Sequence, residues 1–345
     1  MHVKRLAFAL ALLAAIVVGA GQARCQLLIN GAGATFPYPI YSQWFDVYTK
    51  ADPTVRFNYQ SIGSGGGIKQ LLNGTVDFGA SDAPMNDEQL KNAPGKVLHF
   101  PTVLGADVIT YNLEGLRGSL KLTGPLIADI FMGKVTKWND ASIAKLNPSV
   151  NLPDTPIVVC HRSDGSGTTY IFADYLSKVS PAWSKEVGKS TALKWPVGLG
   201  GKGNEGVTAL VEQTPGAIGY VELIYAVQNK LPVAELQNRD GAWVKASLKT
   251  VTAAAAGAAA NMPSDFRVSI TDAPGANAYP ISSFTYLLVY QQQADAAKGK
   301  AIKEFIKWML DRGQSYAPAL SYAPLPAPVV SAEAAQLEKV RLPGQ

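Results

Sequence analysis

Arg162-Ser163-Asp164-Gly165-Ser166-Gly167-Thr168 runs off a β-branched, apolar run (156–160) and into a stretch with helical spacing (170–176). A strand, a short Gly/Ser/Thr turn and a helix together point free backbone N–H groups at an anion. The arginine adds a planar fork of donors that suits a tetrahedral oxyanion. Asp164, two residues on, is placed to hold that fork through a bidentate pair. The same seven residues also fit a capped helix with a surface ion pair, so the reading turns on the rest of the chain.

Two more turns of this build lie upstream. From Leu27 a short strand leads into Gly31-Ala32-Gly33-Ala34-Thr35-Phe36-Pro37; Pro37 and Pro39 suit a helix entrance, and Ile40, Trp44, Phe45 and Tyr48 follow at helical spacing. Val55 to Tyr59 alternates like a strand and runs into Ser61-Ile62-Gly63-Ser64-Gly65-Gly66-Gly67, followed by the helical stripe Ile68, Leu71, Leu72. Val76 to Ala80 is a third short strand, ending at Ser81-Asp82-Ala83-Pro84. Farther on, 123–132 and 141–146 read as helices and 217–221 as a strand. An alanine-dense helix at 252–260 is interrupted by Gly257. The apolar run 100–111 is expected to cross between lobes, and the strand 281–290 to return. An amphipathic helix (301–310) then packs, and the Pro/Ala-rich tail 317–330 wraps the surface.

Alternating strands and helices predict an α/β fold with substantially parallel sheets. Ligands in such folds sit outside the carboxyl ends of the strands. The three turns converge only if two lobes face each other across a cleft. The expected division is a leader at 1–23, lobe I at 24–112 plus 279–345, and lobe II at 113–278.

Composition sets the bounds. A chain of 345 residues with 47% hydrophobic and 17% charged residues is globular, with enough core for two lobes. Residues 1–23 read as a secretory signal: His2, Lys4 and Arg5, then an apolar core from Leu6 to Val18, then Gly21-Gln22-Ala23. That run is short for a membrane span, so an exported, soluble protein is expected. Removing Lys4 and Arg5 lowers the formal charge from +5 to +3, too mild to imply nucleic-acid binding. Cys25 and Cys160 are the two cysteines, and their pairing is left open; Arg24 argues against a lipid anchor at Cys25, and Cys160 reads as a buried strand thiol. Beyond the leader the imidazoles are His99 and His161, with no metal-ligand spacing and no recognisable triad.

Three strings imitate other chemistries. Gly188-Lys189-Ser190 lacks the phosphate-loop glycine, since Trp183 stands five residues earlier. Gly198-Leu199-Gly200-Gly201-Lys202-Gly203 fits the dinucleotide pattern as a string, yet lies mid-chain before a short helix near 205–213. Ser166 lacks the nucleophile-elbow spacing. No cofactor and no metal are expected.

Taken together, the stretches 31–37, 63–70, 76–84 and 162–168 closely resemble the periplasmic phosphate-binding proteins of phosphate ABC transporters. So do Trp195-Pro196-Val197-Gly198-Leu199-Gly200-Gly201-Lys202-Gly203-Asn204 and Pro215-Gly216-Ala217-Ile218-Gly219-Tyr220-Val221-Glu222. The likeness spans essentially the whole chain after the leader; Ser163 and His161 depart from it beside the ligand positions. It implies a two-lobed, type II-like binding protein, a monomer that closes on one inorganic phosphate and delivers it to a permease driven by an ATPase subunit. By the same resemblance, Thr35 offers its hydroxyl, Phe36 its backbone N–H, and Ser64 its hydroxyl and amide. Arg162 forks onto the anion, Ser166, Gly167 and Thr168 supply further donors, Asp164 orients Arg162, and Asp82 accepts a proton from the ligand. Phosphate carries such a proton at neutral pH and sulfate does not, which makes Asp82 the expected discriminator. Two other classes compete: a secreted phosphomonoesterase with Ser64 or Ser166 as nucleophile, and an adhesion or signalling protein on the same fold.

Overall fold

The computed structural model describes residues 26–116, 119–260 and 262–344. The leader 1–23 and Cys25, with its anchoring and pairing, lie outside the described residues. Eleven strands fall within them: β1 (Leu27–Gly33), β2 (Val55–Ser61), β3 (Phe78–Ser81), β4 (Val97–Tyr111), β5 (Lys121–Leu122), β6 (Val158–Arg162), β7 (Leu199–Gly201), β8 (Ala217–Glu222), β9 (Glu235–Gln237), β10 (Trp243–Val244) and β11 (Ser282–Tyr290). Eight form one sheet in the order β2-β1-β3-β11-β4-β8-β6-β7, and β10-β9-β5 form a second.

The long strand β4 joins the two halves of the large sheet. All of its residues are buried, as a strand covered on both faces requires, and its sequence is mostly apolar, with His99, Thr102, Asp107 and Thr110 as buried exceptions. Its first part pairs with β11, up to Ala106 opposite Ser282. From Asp107 onward it pairs with β8 instead, with Asp107 opposite Glu222. The expected crossing segment is this strand, begun three residues earlier than its sequence pattern suggested.

The expectation of substantially parallel sheets holds at β1/β2, β1/β3, β6/β7 and β6/β8. It fails in the middle, where β11 runs antiparallel to both β3 and β4, and β4 antiparallel to β8. The reason is topological: strands that pass between halves come back reversed, without a covering crossover helix.

Each half has its own aromatic core. In the first, the Tyr38–Ala51 helix buries Ile40, Tyr41, Trp44, Phe45 and Tyr48 on one face, with a proline in its opening turn. Phe45 stacks on Phe57 with centroids 4.7 Å apart, and Phe305 packs on both. In the second, Phe172 stacks on Tyr220 at 4.3 Å and meets Trp183 edge-on. Truncating such a buried ring to alanine costs about 3–5 kcal/mol; Phe172→Ala would loosen the helix that carries Gly167 and Thr168. The tail is ordered as two 3-10 turns and the helix Ala327–Leu337. It is tied inward by Tyr322 to the carbonyl of Phe36 (2.6 Å) and by Gln336 to that of His99 (2.6 Å). Among the described residues no helix is long and apolar enough to cross a membrane.

Candidate anion-binding site

The stretch around Arg162 starts at the carboxyl end of β6 and enters the helix Gly167–Val179. Ser166 is that helix's N-cap, its Oγ accepting from Thr169 N (3.0 Å). Arg162 is 3% exposed, so its charge has been taken out of water and needs partners. It donates from Nε to Asp164 Oδ1 (2.8 Å), from Nη2 to Asp164 Oδ2 (2.5 Å) and from Nη1 to Thr168 Oγ1 (3.2 Å). Burial pushes the Asp164 carboxyl up, but the Arg162 hydrogen bonds and charge outweigh it, so Asp164 lies below the usual carboxylate range. It is therefore an anion at neutral pH, and the Arg162–Asp164 pair carries little net charge.

The second turn follows β2. Gly63 has φ +87, a backbone conformation that favours glycine, and a side chain there would overlap the Asp164 carboxylate and the Gly165 carbonyl. Ser64 then opens the helix Ser64–Leu72, whose first N–H groups lack intrahelical partners. One of them, from Gly65, donates to the Gly165 carbonyl at 2.8 Å and joins this turn to the arginine turn. Ser64 is fully buried; its Oγ accepts from Asp82 N (3.1 Å) and donates to Asp82 Oδ2 (3.3 Å). Gly167 packs so closely that a methyl on it would overlap both Ser64 Oγ and the Asp82 carboxyl. The two halves are thus closed on each other at this point.

Asp82, just past β3, is 1% exposed. Thr285 on β11 donates to its Oδ1 at 2.8 Å. Burial drives its carboxyl up to about 7, against the Thr285 and Ser64 hydrogen bonds and the Arg162 charge, which all pull it down. A carboxyl poised there changes hands with a proton readily at neutral pH.

Thr35 completes the ring. Its Oγ1 accepts from Asn204 N (3.2 Å) and Nδ2 (2.7 Å), and Asn204 Nδ2 reaches Thr168 Oγ1 as well (3.1 Å). The carbonyl of Thr35 accepts from Tyr225 Oη at 2.6 Å. Phe36 beside it is fully buried. The structure therefore brings Thr35, Phe36, Ser64, Asp82, Arg162, Asp164, Ser166, Gly167 and Thr168 to one place from both halves of the sheet.

Three contributors were given no site role in the sequence reading: Asn204, Thr285 and Gly203, whose N–H donates to Asp164 Oδ1 (3.0 Å). Gly203 and Asn204 open the helix Gly203–Gln213 directly after β7. The glycine string 198–203 thus does run from a strand into a helix, and that helix start faces Thr35 and Asp164. That strand–turn–helix build was the available signal, hidden by its likeness to a dinucleotide fingerprint. Thr285 gave no signal, being one of three polar residues in a largely apolar strand.

Beside the ring lies a cavity of about 190 Å³, with Asp82, Tyr170, Asp174, Arg267 and Ser283 among its lining residues. Segment 267–271 lines part of its wall. Arg267 Nη1 donates to Met85 O (3.1 Å) and Asp87 Oδ1 (2.7 Å) on one side. On the other, Ser269 and Thr271 donate to Asp174 at 2.6 Å each.

Comparison with known proteins agrees with this geometry. Residues 18–312 match the PBP superfamily domain. The phosphate-binding protein PstS of Xylella fastidiosa (strain Temecula1) is 50% identical over 303 residues, covering 88% of this chain and 82% of the relative. PstS of Pasteurella multocida is 47% identical over 309 residues, covering 89% of each. Among solved structures, a high-affinity periplasmic phosphate-binding protein (PfluDING) bound with phosphate superposes with a TM-score of 0.71 at 21% identity, over 90% of this chain and 93% of that one. A phosphate-binding protein from Stenotrophomonas maltophilia gives 0.67 at 21%, over 89% and 93%. At those identities the structural likeness speaks to the fold alone.

Proposed function

This chain belongs to the PBP superfamily and, within it, to the PstS phosphate-binding proteins, and from that premise we propose that it binds inorganic phosphate in the periplasm and hands it to an ABC-type import permease. Asp82 carries the reading. A buried carboxyl poised near 7 inside a ring of donors is a poor neighbour for an anion, unless that anion brings a proton to share. Phosphate brings one and sulfate does not. The remaining donors then match a tetrahedral oxyanion: the Thr35, Ser64 and Thr168 hydroxyls, the two helix starts at Ser64 and Gly167, and the Phe36 amide. Arg162 supplies the one buried guanidinium among the described residues, with Asp164 fixing its fork.

A charge-assisted hydrogen bond contributes roughly 1.5–3 kcal/mol net. Several exceed the roughly 8 kcal/mol of a micromolar site even after closure and desolvation absorb part of the sum. Residues 24–112 with 279–345 form one lobe in this reading and 113–278 the other, β4 and β11 running between them. The protein acts as a monomer after its leader is removed, with the membrane permease and its ATPase subunit as partners, and it binds phosphate without turning over esters.

Titration calorimetry tests the assignment. Phosphate should bind at micromolar affinity or tighter, with sulfate undetectable and arsenate, which carries the same proton, partly competent. A chromogenic phosphate ester should stay intact with the purified protein. Equal binding of sulfate and phosphate would overturn the role given to Asp82, and ester turnover would favour the phosphomonoesterase.

A further inference from the structure

Behind the anion site, where β4 changes partner, two carboxyls face each other that the binding reading does not use. Asp107 and Glu222 are both fully buried and stand directly opposite in the β4/β8 register. Opposed residues of an antiparallel pair present their side chains on one face, with Cα atoms about 4.5–5.5 Å apart. Neither oxygen of Asp107 has a hydrogen-bond partner among the described residues, and neither does Glu222 Oε1. Glu222 Oε2 accepts from Ile224 N at 2.7 Å. The pair is wired to the site: Glu222 N donates to Asn204 Oδ1 (2.9 Å), and Asn204 holds Thr35 and Thr168.

Ionising both groups in this setting is prohibitive, because two buried like charges would have only backbone donors at Glu222 to stabilise them. The surrounding groups do not compensate. Arg162 on β6 is the neighbouring cation, and Asp164 already holds it. Asp82 adds a further carboxyl that raises both. Tyr220 on β8, Tyr279 before β11, Tyr225 after β8 and Tyr322 in the tail are the remaining titratable neighbours. All four are phenols that burial pushes up, so they stay neutral.

We propose that Asp107 and Glu222 are a proton-holding pair, distinct from the anion's own ligands, and that filling the anion site at alkaline pH draws a proton from solvent onto them. A bound anion adds negative charge beside the pair and favours its neutral form. In reverse, ionisation of the pair lowers affinity for the anion, by up to about tenfold per pH unit for one linked proton. The inference rests on anion binding at the neighbouring site.

The test counts protons. Phosphate is titrated into the whole protein at about pH 9 in buffers of different ionisation enthalpy, which yields protons taken up per phosphate. Wild type is expected to take up more than Asp107→Asn, and its affinity to fall more steeply as pH rises through the alkaline range. Glu222→Gln serves as the second variant. Infrared difference spectra of the phosphate-bound wild type at about pH 8 should show the C=O stretch of a protonated carboxylic acid that Asp107→Asn weakens. An unchanged proton count in the variants, or no such band in wild type, overturns the proposal while leaving phosphate binding intact. Loss of phosphate binding by wild type itself would instead sink the binding reading.

Discussion

Asp82→Asn should make the empty protein more stable above neutral pH and leave it nearly unchanged in acid. In wild type the buried carboxyl titrates near 7, against an ordinary value of 3.8, because burial disfavours its charged form. Between those two values the folded protein holds a proton that the unfolded chain has released, so stability is fully present below about pH 4 and is lost as pH rises through 7. The gap of about 3 pH units, at about 1.4 kcal/mol each, gives on the order of 4 kcal/mol. Asparagine cannot ionise and is free of that loss. It can still accept from Thr285 and meet Ser64, so at low pH the two proteins should agree within about 1 kcal/mol. His99 acts in the opposite sense: burial beside Arg267 lowers it to about 4, and its contribution is lost as pH falls from 6.5 toward 4. Being common to both proteins, it cancels in the difference. The assay is urea unfolding of both in phosphate-free buffer at about pH 4.5 and about pH 8. If the variant-minus-wild-type difference is the same at the two pH values, Asp82 is not the poised group described above.

With ligand present, the same Asp82→Asn variant should accept sulfate, eroding a discrimination that sites built around a ligand hydroxyl hold at roughly 10⁴–10⁵; competition calorimetry reads this. Arg162→Lys replaces a fork spanning both Asp164 oxygens and Thr168 with a point charge. Losing one charge-assisted bond of about 1.5–3 kcal/mol predicts phosphate binding weakened roughly 10–150-fold. Gly167→Ala places a methyl against Ser64 Oγ and Asp82; overpacking of about 1–3 kcal/mol should hold the halves apart, seen as a larger radius in solution scattering with phosphate. Burial works against ionisation of Asp174, but the bonds from Lys189, Ser269 and Thr271 win and lower it. Its contribution is present above about pH 4 and lost in acid, so Asp174→Asn should destabilise near pH 7 by about 2 kcal/mol, the lysines being partly exposed, with the gap to wild type narrowing as pH falls below about 4.

The candidate site was largely legible because most of its residues cluster in three local strand–turn–helix units, where Gly, Ser and Thr are demanded by the backbone within a few residues. Residues that act across the fold were not. Thr285 reaches Asp82 from a strand whose pairing with β3 no local pattern announces. Asp107 looks like one polar letter in an apolar run until β8 sets Glu222 against it. The antiparallel centre was missed for the same reason. Local alternation of strand and helix says parallel, and only the return of β11 from far along the chain reverses it.

That late return has a consequence for how the protein is made. β11 sits between β3 and β4 in the sheet yet is synthesised after every other strand. Until it emerges, β3 and the first part of β4 each expose an unpaired edge, the kind of template on which chains aggregate. The strands β6, β7 and β8, with the second part of β4, can pair earlier. If the chain is exported as proposed above, it gains by staying unfolded until its last portion is available. One cut before β11 would leave two open edges rather than a slightly smaller protein.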